Sequence, residues 1–101
     1  MVYTQQELIN KLTPIFKQFP IKRAALFGSY ARGEQKPDSD LDIILELDLT
    51  KELPDFIYVF WDELENILQL KADIVTFRAL NTAPASVRER ILKELRYIYE
   101  V

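Results

Sequence analysis

KRAALFGSYARGEQKPDSDLDIILEL, residues 22–47, decides the fold: two apolar runs flank a polar stretch that holds both glycines of the chain. Lys22 to Phe27 predicts a short strand ending at Gly28, and Leu41 to Leu47, richer in branched residues, predicts a second. Glu34 to Ser39, with Pro37 inside it, reads as a turn-forming loop between them. Glycine allows a sharp turn or a close approach of backbone to a ligand, so both glycines at the end of one strand suggest a ligand-facing turn. Ser29 adds a hydroxyl, the amides after it would open a short helix suited to an anion, and Arg32 adds a cation that matches phosphate oxygens. A plain strand-to-helix turn with an exposed arginine is the competing reading, and this window alone does not separate the two.

Asp40 and Asp42 shift the balance. Residues two apart on a strand project from the same face, so these carboxylates would stand side by side. Burying two unpaired carboxylates costs several kcal/mol, roughly, and a divalent cation removes that cost. Magnesium binds through one or two carboxylates together with substrate phosphates. The alternative is a solvated Asp38-Ser39-Asp40 turn, with Asp42 on the polar face of an edge strand. Asp73 heads a third strand candidate, Ala72 to Phe77, that could lie beside the first pair. Taken alone it is a strand-entry aspartate; with Asp40 and Asp42 it completes the carboxylate set of two-metal phosphoryl chemistry.

The flanks read as helices. Thr4 and Glu7 have the spacing of a capping box, and Tyr3 and Leu8 that of a hydrophobic staple. Leu8, Leu12, Ile15, Phe16 and Phe19 form an apolar stripe, with Pro14 predicting a kink or a restart capped by Thr13. Pro54 and Asp55 open a second helical segment with Phe56, Ile57, Phe60, Trp61, Leu64, Ile67 and Leu68 as its apolar residues. Tyr58 and Val59 fall between these positions; burial as further core residues is favoured over an exposed association patch. Pro84 to Leu95 predicts a last helix with Val87, Ile91, Leu92 and Leu95 on one face, and Tyr97 to Tyr99 could add an edge strand. The expectation is one α/β (α+β) domain over residues 1–101, a small mixed sheet flanked by helices.

Composition removes whole classes of chemistry. The 101 residues include neither cysteine nor histidine, so catalysis must rest on carboxylates, hydroxyls and cations. A net charge of -3 disfavours a nucleic-acid partner, because phosphate binding needs a basic footprint. The amino terminus lacks the basic-then-apolar pattern of a signal peptide, and the apolar run Phe56 to Trp61 is too short to span a bilayer. A cytoplasmic protein without membrane association is expected.

Gly28-Ser29, ten residues, then Asp40-Leu41-Asp42 resembles the signature of the nucleotidyltransferase superfamily that includes DNA polymerase beta. Leu26 through Gly33 and Ser39 through Ile43 are closer still to its minimal nucleotidyltransferase (MNT) branch, and Lys71-Ala72-Asp73-Ile74-Val75 resembles the strand that carries that family's third carboxylate. The resemblance implies ATP as donor, two Mg2+ ions and transfer of AMP to an acceptor hydroxyl with release of pyrophosphate. Asp40, Asp42 and Asp73 would be the catalytic and metal-binding residues; Gly28, Ser29, Arg32, Gly33 and Ser39 would bind the nucleotide. It further implies an antitoxin that modifies a tyrosine of a HEPN-domain ribonuclease toxin. An antitoxin acting by binding alone, or an enzyme acting on a small-molecule hydroxyl, is the alternative. The chain has no room for an acceptor domain, so a partner or a second copy is expected to supply that surface. One departure stands out: Leu95 and Arg96 lie where such proteins often place a glycine, so the helix could run on and remove the last strand.

Overall fold

The computed structural model describes residues 2–48, 50 and 56–101. The order is α1 (Gln5–Phe16), β1 (Ile21–Phe27), α2 (Gly28–Arg32), β2 (Leu41–Leu47), α3 (Phe56–Leu68), β3 (Ala72–Thr76), α4 (Phe77–Leu80), α5 (Ala85–Glu94) and β4 (Arg96–Glu100). The strands form one mixed sheet in the order β3-β2-β1-β4. β1 runs antiparallel to both β2 and β4, and β2 runs parallel to β3. The predicted mixed sheet with flanking helices is the fold observed.

Strand alternation divides the core into two layers. Ala24, Leu26, Leu41, Ile43 and Leu45 face a large cluster with Leu8, Leu12 and Phe16 of α1 and Phe60, Leu64 and Leu68 of α3. Ala25, Phe27 and Ile44 point the other way, to Leu80 of α4 and Ile91 of α5. Asp42 has the parity of Ile44, so its carboxylate belongs to the thinner α4–α5 layer.

The amino-terminal signals act as read. Glu7 N donates to the Thr4 hydroxyl (3.1 Å), and Thr4 N donates to the Glu7 carboxylate (2.9 Å). The Tyr3 hydroxyl then donates to the Leu68 carbonyl (2.7 Å), tying this end of α1 to the end of α3. Pro14 does not restart the helix. α1 continues to Phe16, and the Thr13 hydroxyl donates to the Ile9 carbonyl (2.6 Å) and caps nothing. Burial of Ile15 and Phe16 holds the last turn in place despite the missing proline N–H.

Four further expectations need correction. Tyr58 and Val59 are 71% and 60% exposed, and Ile67 is 43% exposed, because α3 buries only the i, i+4, i+8 row of Phe60, Leu64 and Leu68. Leu92 is also exposed: Ile91 takes the inward position, and the next residue turns about 100° away. Phe77 leaves the strand and begins α4, where the Thr76 hydroxyl accepts from Ala79 N (3.1 Å). α5 does not run on. Leu95 is extended (φ -58°, ψ 133°), no glycine is needed, and the chain enters β4 with Ile98 buried against the sheet. Pro54 and Asp55 lie outside the described residues.

The rings of Phe16 and Phe19 lie 5.9 Å and 5.4 Å from that of Phe60. Phe60→Ala is therefore expected to cost about 3–5 kcal/mol, whereas Tyr58→Ala should stay within about 0.5 kcal/mol of the parent. Urea unfolding of the two variants checks both values.

Candidate active site

β1 ends at Phe27, and the chain turns into α2 through Gly28 at φ 71°. That left-handed backbone alone favours glycine, and a Cβ at this position would collide with the Asp42 carboxylate. Asp42 is thus packed directly against the turn. Gly33 has the same φ for a different reason: it closes α2, donating its N–H to the Ser29 carbonyl, with open space where a Cβ would point.

Parallel pairing of β2 with β3 places Asp42 opposite Asp73. Both line a cleft of about 260 Å3 with Phe27, Gly28, Arg32, Arg90, Ile91 and Glu94. Asp40 sits one residue before β2, exposed, and close enough for its charge to act on Asp42. Burial, then Asp73, then Asp40 push the Asp42 carboxyl up to about 6, with Arg32 opposing and Glu94 adding to the rise. Among the described residues no three carboxylates close into a ligand set. Like charges without a counterion have no reason to converge further.

The structure therefore brings together Gly28, Arg32, Asp42 and Asp73, with Asp40 beside them. Gly33 and Ser39 do not line the cleft. The Ser39 hydroxyl accepts from Lys36 N (2.8 Å) inside the preceding turn, and Gly33 is occupied as a helix cap. Ser29 is half-buried next to Gly28, and its carbonyl accepts from both Gly33 N and Glu34 N.

Two cleft residues escaped the sequence reading. Glu94 accepts from Gly28 N (3.1 Å) and pairs with Arg32 (2.8 Å), while Arg32 also pairs with Glu34 (2.7 Å). Arg90, one turn before Glu94 on α5, lines the same cleft. Nothing local separates these two from the other charges of an amphipathic helix, Arg88, Glu89 and Lys93.

A strand-ending glycine turn facing carboxylates on two parallel strands is the arrangement that the resemblance to nucleotidyltransferases implies. The chain belongs to the polymerase beta nucleotidyltransferase family, whose model matches residues 10–101. It is 39% identical over 88 residues to a Methanocaldococcus jannaschii protein named "putative protein adenylyltransferase", covering 87% of this chain and 90% of that one. It is 33% identical over 99 residues to protein adenylyltransferase MntA of Thermococcus cleftensis, covering 94% and 96%. A solved structure of a "putative minimal nucleotidyltransferase" superposes with a TM-score of 0.69 at 27% identity, covering 93% of this chain and 95% of that one. The same fold, at a TM-score of 0.65 and 19% identity, occurs in a complex of a tri-AMPylated Shewanella oneidensis HEPN toxin with its MNT antitoxin, covering 97% and 74%.

Two measurements follow. Gly33→Ala should lose about 1–2 kcal/mol from the left-handed backbone alone, and Gly28→Ala should lose more because the Asp42 carboxylate must also move; denaturant titration ranks them. In the metal-free protein the raised Asp42 value favours the protonated folded state. Its contribution is complete below about pH 4, shrinks as pH rises through about 6, and is absent at neutral pH. The stability difference between parent and Asp42→Asn, followed from pH 4 to 7 without divalent cations, should therefore grow with pH in favour of the variant.

Proposed function

We propose that this nucleotidyltransferase moves AMP from ATP to a tyrosine hydroxyl of a HEPN-domain toxin and acts as that toxin's antitoxin. The observation that carries the chemistry is the Asp42–Asp73 pairing at the glycine turn. The names of the archaeal relatives and the AMPylated toxin in the MNT complex support the acceptor class.

The carboxylates fit a divalent cation. Asp42 is held half-buried against Gly28 with Asp73 opposite it, and burial and then the Asp73 charge push its carboxyl up to about 6, a penalty that a bound cation would offset. Asp40, Asp42 and Asp73 would hold Mg2+, two ions by the family's chemistry. Magnesium, when bound, supplies positive charge against the triphosphate and lowers the pKa of the attacking hydroxyl.

The remaining work falls to the chain's own residues. The Gly28 amide and the Arg32 guanidinium are the donors for phosphate oxygens, a charge-assisted arrangement that also offsets the charge on the departing pyrophosphate. An Asp73 carboxylate oxygen takes the tyrosine hydroxyl proton as the phenolic oxygen bonds to the α-phosphorus. The bond from that phosphorus to the oxygen bridging to the β-phosphorus breaks, and pyrophosphate leaves with that oxygen. Ser29, Gly33 and Ser39 shape the turn and the approach to β2, so their part in nucleotide binding is through backbone position.

Labelling tests the reading. The cognate HEPN-domain toxin, incubated with this protein and magnesium ATP, should gain AMP, detected by mass spectrometry of the intact toxin. Asp73→Asn should lower the rate by about 10²–10⁴-fold. Unlabelled toxin in the presence of folded, magnesium-loaded protein would exclude it, and full neutralisation by an Asp40→Asn, Asp42→Asn double variant would favour an antitoxin that only binds.

A further inference from the structure

The two groups best placed to receive phosphate oxygens are already engaged by an anion of the protein itself. One Glu94 carboxylate oxygen accepts from Gly28 N at 3.1 Å, and the other pairs with Arg32 at 2.8 Å. A carboxylate bridging a turn amide and a guanidinium imitates the contacts of a phosphate group, two oxygens meeting two donors. Glu94 lies at the last position of α5, so rotating its side chain requires no change in the sheet. Its side chain keeps 21% of its accessible surface, leaving a route out to the cleft.

Resting on the nucleotidyltransferase reading, we infer that Glu94 is a built-in placeholder for phosphate, which the triphosphate must displace from Gly28 and Arg32 before it can bind. A bound phosphate and the Glu94 carboxylate cannot share those donors, and two anions forced together there would repel. The vacated carboxylate has a partner at hand. Arg90 lines the same cleft one helical turn earlier and makes no ion pair among the described residues. Nucleotide arrival is thereby converted into a rearrangement at the end of α5, next to the start of β4. In the empty site the placeholder also keeps the Arg32 guanidinium aimed at the cleft, so exchange of anions leaves its geometry prepared.

Glu94→Gln tests this in the full-length chain with its shape preserved. Titration with magnesium and a non-hydrolysable ATP analogue, and separately with inorganic tripolyphosphate, compares parent and variant by calorimetry. Removing the competing charge should tighten binding of both probes by about 5–10-fold, the gain expected when a competent state stops being a minor one. Only two glycines exist in the chain, so the glycine region of an amide NMR spectrum holds two backbone peaks, and the one that a Gly33→Ala variant keeps belongs to Gly28. Its peak should move on adding the analogue to the parent, and should already be displaced in the free variant. Binding to the variant alone also supports the placeholder. Equal or weaker binding to the variant, or a Gly28 peak that stays put while the analogue binds, overturns it and leaves the nucleotidyltransferase reading intact. If neither protein binds either probe, that reading fails and the placeholder falls with it.

Discussion

Two like charges occupy facing positions on neighbouring parallel strands, and the rest of the molecule is arranged so that they can stay there. Asp42 and Asp73 are register partners, and Asp42 is also pressed against the one turn where a Cβ could not fit. Like charges in that position repel, and the repulsion works against a domain stability of only about 5–15 kcal/mol. Exposure of Asp73 screens part of it. Proton uptake by Asp42 relieves another part. The position is held because the backbone around it is committed elsewhere.

That commitment comes from the opposite face of the sheet. Leu41, Ile43 and Leu45 are fully buried under α1 and α3, with Asp42 lying between two of them on the strand. Slipping the strand by one residue would send three apolar side chains outward and the carboxylate inward. The large layer that holds Phe16, Phe19 and Phe60 thus supports the register that sets Asp42 opposite Asp73. The thinner layer under α4 and α5 leaves the cleft open and contributes Arg90 and Glu94 to its wall. The larger apolar layer and the cleft lie on opposite faces of one sheet.

Much of this was legible locally. The capping box of Thr4 and Glu7, the strand from Leu41 to Leu47 and the apolar row of α3 all obey rules whose range is a few residues. Where the reading failed, a competing position a few residues away decided the outcome. Tyr58, Val59 and Leu92 are apolar, yet the neighbouring rows of Phe60 and Ile91 filled the available interior. The start of β4 hinged on a free edge of β1, a partner that residues 95 and 96 do not reveal. The glycine and aspartate set was readable because its spacing is unusual and its residue types are chemically restricted.

The sequence by itself excluded chemistry that needs histidine or cysteine, and the spacing of Gly28, Ser29, Asp40, Asp42 and Asp73 carried the resemblance to nucleotidyltransferases. Only the tertiary structure decided what engages the Gly28 amide. Glu94 lies 66 residues from Gly28 along the chain, and it meets that amide because α5 packs on the α4–α5 face of the sheet. An ordinary helix charge carries no mark of such a contact, since hydrogen bonding and Coulomb attraction act through space and not along the backbone.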